Sequence, residues 1–90
     1  MKVRVHVLVN GRVQGVFFRR ETKRAADAKN VKGWVKNLED GRVEAVFEGE
    51  EEDVVQLVDF CRHGPPLAEV DNIRISKEKY TEKFKDFTSY

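Results

Sequence analysis

Two glycines four residues apart, Gly11 and Gly15, sit in the stretch Val9-Asn-Gly-Arg-Val-Gln-Gly-Val-Phe-Phe-Arg19, and an arginine follows the second glycine by four more. A glycine-rich turn from a strand into a helix aims successive backbone N–H groups into one concavity. The helix start adds its own unpaired N–H groups and the positive end of its dipole, which together make an anion site. Arg19, in the first helical turn, supplies a permanent charge and a fork of donors that matches phosphate oxygens. Residues 11–19 therefore suit a phosphate cradle. For an isolated pair of glycines at this spacing a plain structural connection is the better reading; the arginine brings the two readings level.

Other phosphate and nucleophile chemistries lack their residues. Gly15 is followed by Val16-Phe17 and not by Lys-Ser/Thr, so the loop is not of the Walker kind. Cys61, the single cysteine, falls on the apolar face of a helix far from the loop and reads as a core residue. His6 reads as a strand residue on an open sheet face and His63 as a helix C-terminal residue, with no metal-ligand spacing between them. The acidic run Glu50–Asp53 reads as a helix start, where the dipole favours negative charge. No cofactor motif is present, and neither a cofactor nor a metal is expected.

The elements that must position the loop follow from pattern. Val3, Val5, Val7 and Val9 alternate with polar or larger neighbours, which predicts a half-buried strand ending at Asn10-Gly11. Residues 18–29 suit a helix, with Phe18, Thr22 and Ala25 on one face, Ala28 nearby and Asn30 as a left-handed stop. Residues 31–38 and 42–49 read as two strands joined at Asp40-Gly41, a strong hairpin signal. Val54, Leu57, Val58 and Cys61 recur at helical spacing, and His63-Gly-Pro-Pro66 stops that helix. Residues 71–76 read as a fourth strand, 77–85 as a charged connection and 87–90 as a short fifth strand. The order β-α-β-β-α-β predicts one α+β domain over residues 1–90. It has the ferredoxin-like arrangement: an antiparallel sheet of four or five strands with both helices on one face. In that topology the first two strands run the same way, so the glycine loop and the end of the second strand, at Asn37, become neighbours.

Composition bounds the partners. Charged residues make up 37% and hydrophobic ones 40%, with a net charge of +1, an ordinary soluble balance that offers no bulk attraction to nucleic acid or membrane. The N-terminus lacks a signal-peptide pattern and no segment approaches a membrane span, so a cytoplasmic monomer is expected. Many Lys, Arg and Glu with few Asn, Gln, Cys and Met suggest heat adaptation.

Residues 11–19, Gly-Arg-Val-Gln-Gly-Val-Phe-Phe-Arg, resemble the first signature of the acylphosphatases. Residues 33–49, Gly-Trp-Val-Lys-Asn-Leu-Glu-Asp-Gly-Arg-Val-Glu-Ala-Val-Phe-Glu-Gly, resemble their second, in the same order and spacing. The likeness extends over nearly the whole chain and thins over 77–90. It implies a metal-independent enzyme that hydrolyses acyl phosphates to a carboxylate and inorganic phosphate. By the same similarity, Arg19 would bind the phosphoryl group and Asn37 would hold the attacking water. The backbone of Gly11, Arg12, Val13, Gln14, Gly15, Val16, Phe17 and Phe18 would cradle the phosphate.

The chemistry agrees. An acyl phosphate expels a carboxylate whose conjugate acid has a pKa of about 4, so no general acid is required. Phosphoryl transfer then rests on positioning and charge stabilisation. Around the site, Phe17 and Phe18 read as core anchors, Trp34 as packed on the sheet, and Arg12 and Arg20 as solvent charges able to steer an anion. A nucleic-acid module of the same layout needs paired aromatics on the open sheet face, where the third strand offers Glu44, Val46 and Glu48 instead. A non-catalytic phosphate-binding regulatory module, of the kind found inside hydrogenase-maturation factors, is the alternative.

Overall fold

A computed structural model describes residues 1–90. Seven elements follow one another: β1 (Lys2–Arg12), α1 (Phe18–Ala28), β2 (Lys32–Asn37), β3 (Val43–Glu50), α2 (Glu51–Cys61), β4 (Glu69–Glu78) and β5 (Phe87–Ser89). The strands form one sheet in the order β4-β1-β3-β2-β5. The expected ferredoxin-like frame is present: β1 pairs antiparallel with β3 and β4, and β2 with β3.

The fifth strand corrects the expectation of a wholly antiparallel sheet, because β5 lies parallel to β2. The reason is topological. Arg4 pairs with Glu78, so β4 finishes beside the beginnings of β1 and β2. Residues 79–86 then cross the sheet, and a strand starting there must run up alongside β2.

The alternating valines do what their spacing predicts. Val5, Val7 and Val9 turn to the helix side together with Val35, Val43, Ala45 and Phe47, and meet Phe18 and Ala26 of α1 and Val54, Leu57, Val58 and Cys61 of α2. Phe87 of β5 completes this core and stacks on Phe47, ring centroids 5.7 Å apart. On α1 the buried stripe is Phe18, Thr22 and Ala26, with Ala25 only partly buried and Ala28 exposed. The stripe follows the i, i+4, i+8 row and is rolled one position from the expected face. The Thr22 hydroxyl is satisfied within the helix by the Phe18 carbonyl, 2.7 Å away.

β1 also runs further than expected. It passes a bulge between Asn10 and Gly11 and continues through Gly11↔Val70 and Arg12↔Glu69. Gly11 has φ +131°, and a Cβ there would stand 2.1 Å from the Glu69 carbonyl oxygen, so the approach of the two strands requires glycine. β4 is correspondingly longer than the expected 71–76.

The face away from the helices is covered at one end. Glu48 is only 2% exposed. Its Oε2 accepts from Thr81 N at 2.9 Å, Thr81 Oγ1 at 2.8 Å and Arg4 Nη1 at 3.4 Å, and its Oε1 from Glu82 N at 3.1 Å. This carboxylate pins the crossing segment to the sheet. Burial pushes its pKa up, but the Thr81 N–H, the Thr81 hydroxyl and Arg4 outweigh that and hold it below the usual range. Further along the same face His6 Nε2 lies 2.7 Å from Glu44 Oε2, and Lys36 Nζ sits 5.1 Å from the half-buried Trp34 ring. No helix is long and apolar enough to cross a membrane.

Candidate active site

β3 lies antiparallel between β1 and β2, so those two strands point the same way and the loop after β1 emerges beside the end of β2. A cleft of about 640 Å³ opens there. Gly15, Phe17, Arg19 and Asn37 line it, joined by Lys23 from α1 and Tyr90 from the end of β5. The loop and the asparagine meet as the topology predicts.

The loop keeps its donors free. The N–H groups of residues 13–17 reach no backbone acceptor, and the first N–H groups of α1 have none available by construction. Gly15 has φ +74° with open space where a Cβ would be, so its glycine serves backbone conformation alone. Phe17 is left-handed as well, φ 68° and ψ 19°, immediately before the helix. For a bulky residue that conformation costs on the order of 1–2 kcal/mol. It sends the two adjacent phenylalanines in opposite directions: Phe18 is buried in the core, whereas Phe17 is 51% exposed at the cleft. The expectation of Phe17 as a core anchor is corrected accordingly.

The remaining loop residues divide by task. Gly11 and Arg12 belong to β1 and stand outside the cleft wall. Val13 and Val16 are buried in the core. The Gln14 side chain reaches across to the β2–β3 connection, where Nε2 donates to the carbonyls of Leu38 at 2.8 Å and Arg42 at 3.0 Å. The loop is thereby tied to the turn that directly follows Asn37.

Asn37 Oδ1 is buried and has no hydrogen-bond partner. A buried acceptor without a partner is an exception among folded proteins, and this one sits where the loop N–H groups also lack partners. Arg19 pairs with no side-chain carboxylate, whereas its cationic neighbours do: Arg20 and Arg24 hold Glu21 at 3.0 and 3.3 Å, and Lys23 holds Asp27 at 3.1 Å. The Arg20 guanidinium draws the Glu21 carboxyl below its ordinary range, assisted by Arg24. Arg19 Nη1 donates instead to the Tyr90 backbone oxygen.

Tyr90 was not readable as a cleft residue. The tail pattern announces a short strand but not its partner or direction, and the position follows only from the pairing of Ser89 with Val35 and the bond from Tyr90 N to the Val35 carbonyl at 2.9 Å. Cys61 lies in the core as expected, and burial pushes its thiol up to about 12. No three His, Cys, Asp or Glu side chains converge to form a metal-binding group.

Fold and cleft together define a small ferredoxin-like α+β protein in which a loop of unpaired N–H groups meets Arg19 and Asn37 at one end of the sheet. The acylphosphatase family model matches residues 5–89. The acylphosphatase of Syntrophus aciditrophicus is 54% identical over 97% of this chain and 91% of its own length; that of Pyrobaculum calidifontis is 47% identical over 96% and 79%. The crystal structure of acylphosphatase from Bacillus subtilis superposes with a TM-score of 0.92 at 35% identity, covering 98% of both chains. The chain belongs to the acylphosphatase family.

Proposed function

We propose that the chain hydrolyses acyl phosphates by direct attack of water on a phosphoryl group held between the loop, Arg19 and Asn37. The substrate phosphate enters the cleft and takes up the free N–H groups of residues 13–17 and of the start of α1. Arg19 adds charge from the side. A guanidinium carries five N–H donors, so holding the Tyr90 oxygen leaves others for phosphate. Asn37 Oδ1 accepts a hydrogen bond from the attacking water and turns its lone pair toward phosphorus.

The water oxygen then bonds to phosphorus while the bond from phosphorus to the acyl oxygen breaks. That electron pair leaves on the carboxylate, which needs no proton to depart. Asn37 is too weak a base to take the water's proton, so a phosphoryl oxygen of the substrate receives it. Carboxylate and inorganic phosphate are the products. The observation that carries this reading is the unpartnered Asn37 Oδ1 beside a run of unpaired N–H groups and an arginine that pairs with no side-chain carboxylate.

The same proposal includes a metal-independent reaction, a cytoplasmic monomer and no nucleic-acid or membrane partner. The nearly neutral charge supports the last of these. Exposed charges along the β4 edge, among them Glu69, Arg74 and Lys77, oppose edge-to-edge pairing of copies. Hydrolysis of benzoyl phosphate in the presence of a chelator tests the mechanism. Removing one charge-stabilising donor costs about 10²–10³ in rate, so Arg19→Ala should fall by that order, and Asn37→Ala, which leaves the water unpositioned, by about 10². Activity surviving in Arg19→Ala would refute the assignment. A wild type that binds phosphate but turns over no acyl phosphate would be the regulatory module.

A further inference from the structure

The cleft does not end at the phosphate loop. Phe17 stands as a ridge between it and a second depression of about 520 Å³, whose floor and far side are Val16, Phe60, Pro65, Pro66 and Leu67. Both hollows share the Phe17 ring and the Arg20 side chain. The ring is half exposed, and the Arg20 guanidinium carbon sits 4.3 Å from its centroid. That distance is a cation–π stack, which holds the ring upright while Glu21 holds the guanidinium at 3.0 Å. A bulky side chain is thus kept in a left-handed conformation, pointing away from the core, beside a loop meant for phosphate. Strain of this kind clusters at ligand-contact sites.

We infer that Phe17, braced by Arg20, is the acyl-group subsite and sets a preference for substrates with extended planar or apolar acyl groups. The inference rests on the phosphate-cradle reading above. A phosphoryl group seated on residues 13–17 has its acyl oxygen facing outward. Two exposed aromatic residues, Phe17 and Tyr90, line the cleft, and of these only Phe17 also borders the depression that includes Leu67. An acetyl group is too short to cover the ring; an aromatic acyl group can lie against it.

The test compares benzoyl phosphate with acetyl phosphate in wild type, Phe17→Leu and Phe17→Gly. Any effect of a substitution on the shared phosphate chemistry acts on both substrates, so the ratio of their kcat/KM values reads the side chain alone. Glycine accepts the left-handed conformation freely, which keeps Phe17→Gly folded. An aromatic contact of this kind corresponds to about twofold to tenfold. Phe17→Gly should lower the benzoyl-to-acetyl ratio by that factor, through KM for benzoyl phosphate more than kcat, and Phe17→Leu should lower it less. An unchanged ratio in an active variant overturns the subsite and leaves the mechanism standing. A wild type that hydrolyses neither substrate overturns the mechanism and the subsite with it.

Discussion

Glu48 offers a perturbation whose size can be worked out bond by bond. In Glu48→Gln the shape is kept but one oxygen becomes an NH₂ group. Three donors converge on Oε2 and one on Oε1, so the amide oxygen serves one side and the NH₂ must face a donor on the other. At the least, the bond to Glu82 N is lost and those from Thr81 and Arg4 lose their charge assistance. A hydrogen bond to a charged group is worth about 1.5–3 kcal/mol, which puts the loss at about 2–3 kcal/mol. In a domain of this size each kcal/mol moves Tm by roughly 4–8 °C, so the midpoint should drop by roughly 10–20 °C at pH 7. The pH dependence sharpens the test. The folded Glu48 pKa lies below its ordinary value, so its contribution is complete above the unfolded pKa and disappears as pH falls through the folded one. Below that point wild type carries a neutral carboxyl much like the amide. Thermal melts of both proteins from pH 7 down to pH 2.5, followed by circular dichroism, should show the gap narrowing as the acid limit is reached. A gap that stays constant with pH, or a shift of less than about 3 °C at pH 7, would refute the latch.

Two further perturbations probe the site's supports. Gln14→Leu removes both bonds to the β2–β3 turn, but the Leu38 and Arg42 carbonyls keep backbone partners in Gly41 and Leu38. Stability should therefore fall by only about 1–2 kcal/mol, while kcat for benzoyl phosphate falls by tenfold or more from loop misplacement; equal activity in the two proteins would show that the tie does not position the site. The two loop glycines should behave differently. Gly15→Ala meets open space and should cost about 1–2 kcal/mol from its φ alone, whereas Gly11→Ala drives a methyl into the Glu69 carbonyl and should cost about 4 kcal/mol or more. Urea titrations giving similar losses would remove the distinction.

Much of this fold is readable because its signals are local and repeated. Alternating valines, a helix with apolar residues at 54, 57, 58 and 61, and Asp40-Gly41 each constrain their own segment, and right order then places Asn37 beside the glycine loop. What escapes the sequence depends on paths through space. Alternation assigns Glu48 to the open sheet face, but its burial comes from the return of Thr81 and Glu82 over that end of the face. The pair Phe17-Phe18 announces an aromatic at the helix start without saying which ring turns inward, since the left-handed twist between them is a backbone choice. The parallel pairing of β5 depends on where β4 ends, and with it the arrival of Tyr90 at Arg19.

The strand order has a consequence in time. Only β2 and β3 are neighbours both in the chain and in the sheet; every other pairing joins segments far apart. The loop is held on one side by the pairing of Gly11 and Arg12 with Val70 and Glu69, a closure on the order of 60 residues of chain, and contacts of such long range form slowly. The loop after β1, encoded near the beginning, thus waits for residues beyond position 68 to dock before it is set. In a refolding experiment the recovery of hydrolysis should trail the recovery of helix, with the hairpin and α2 already in place while the catalytic end is still open.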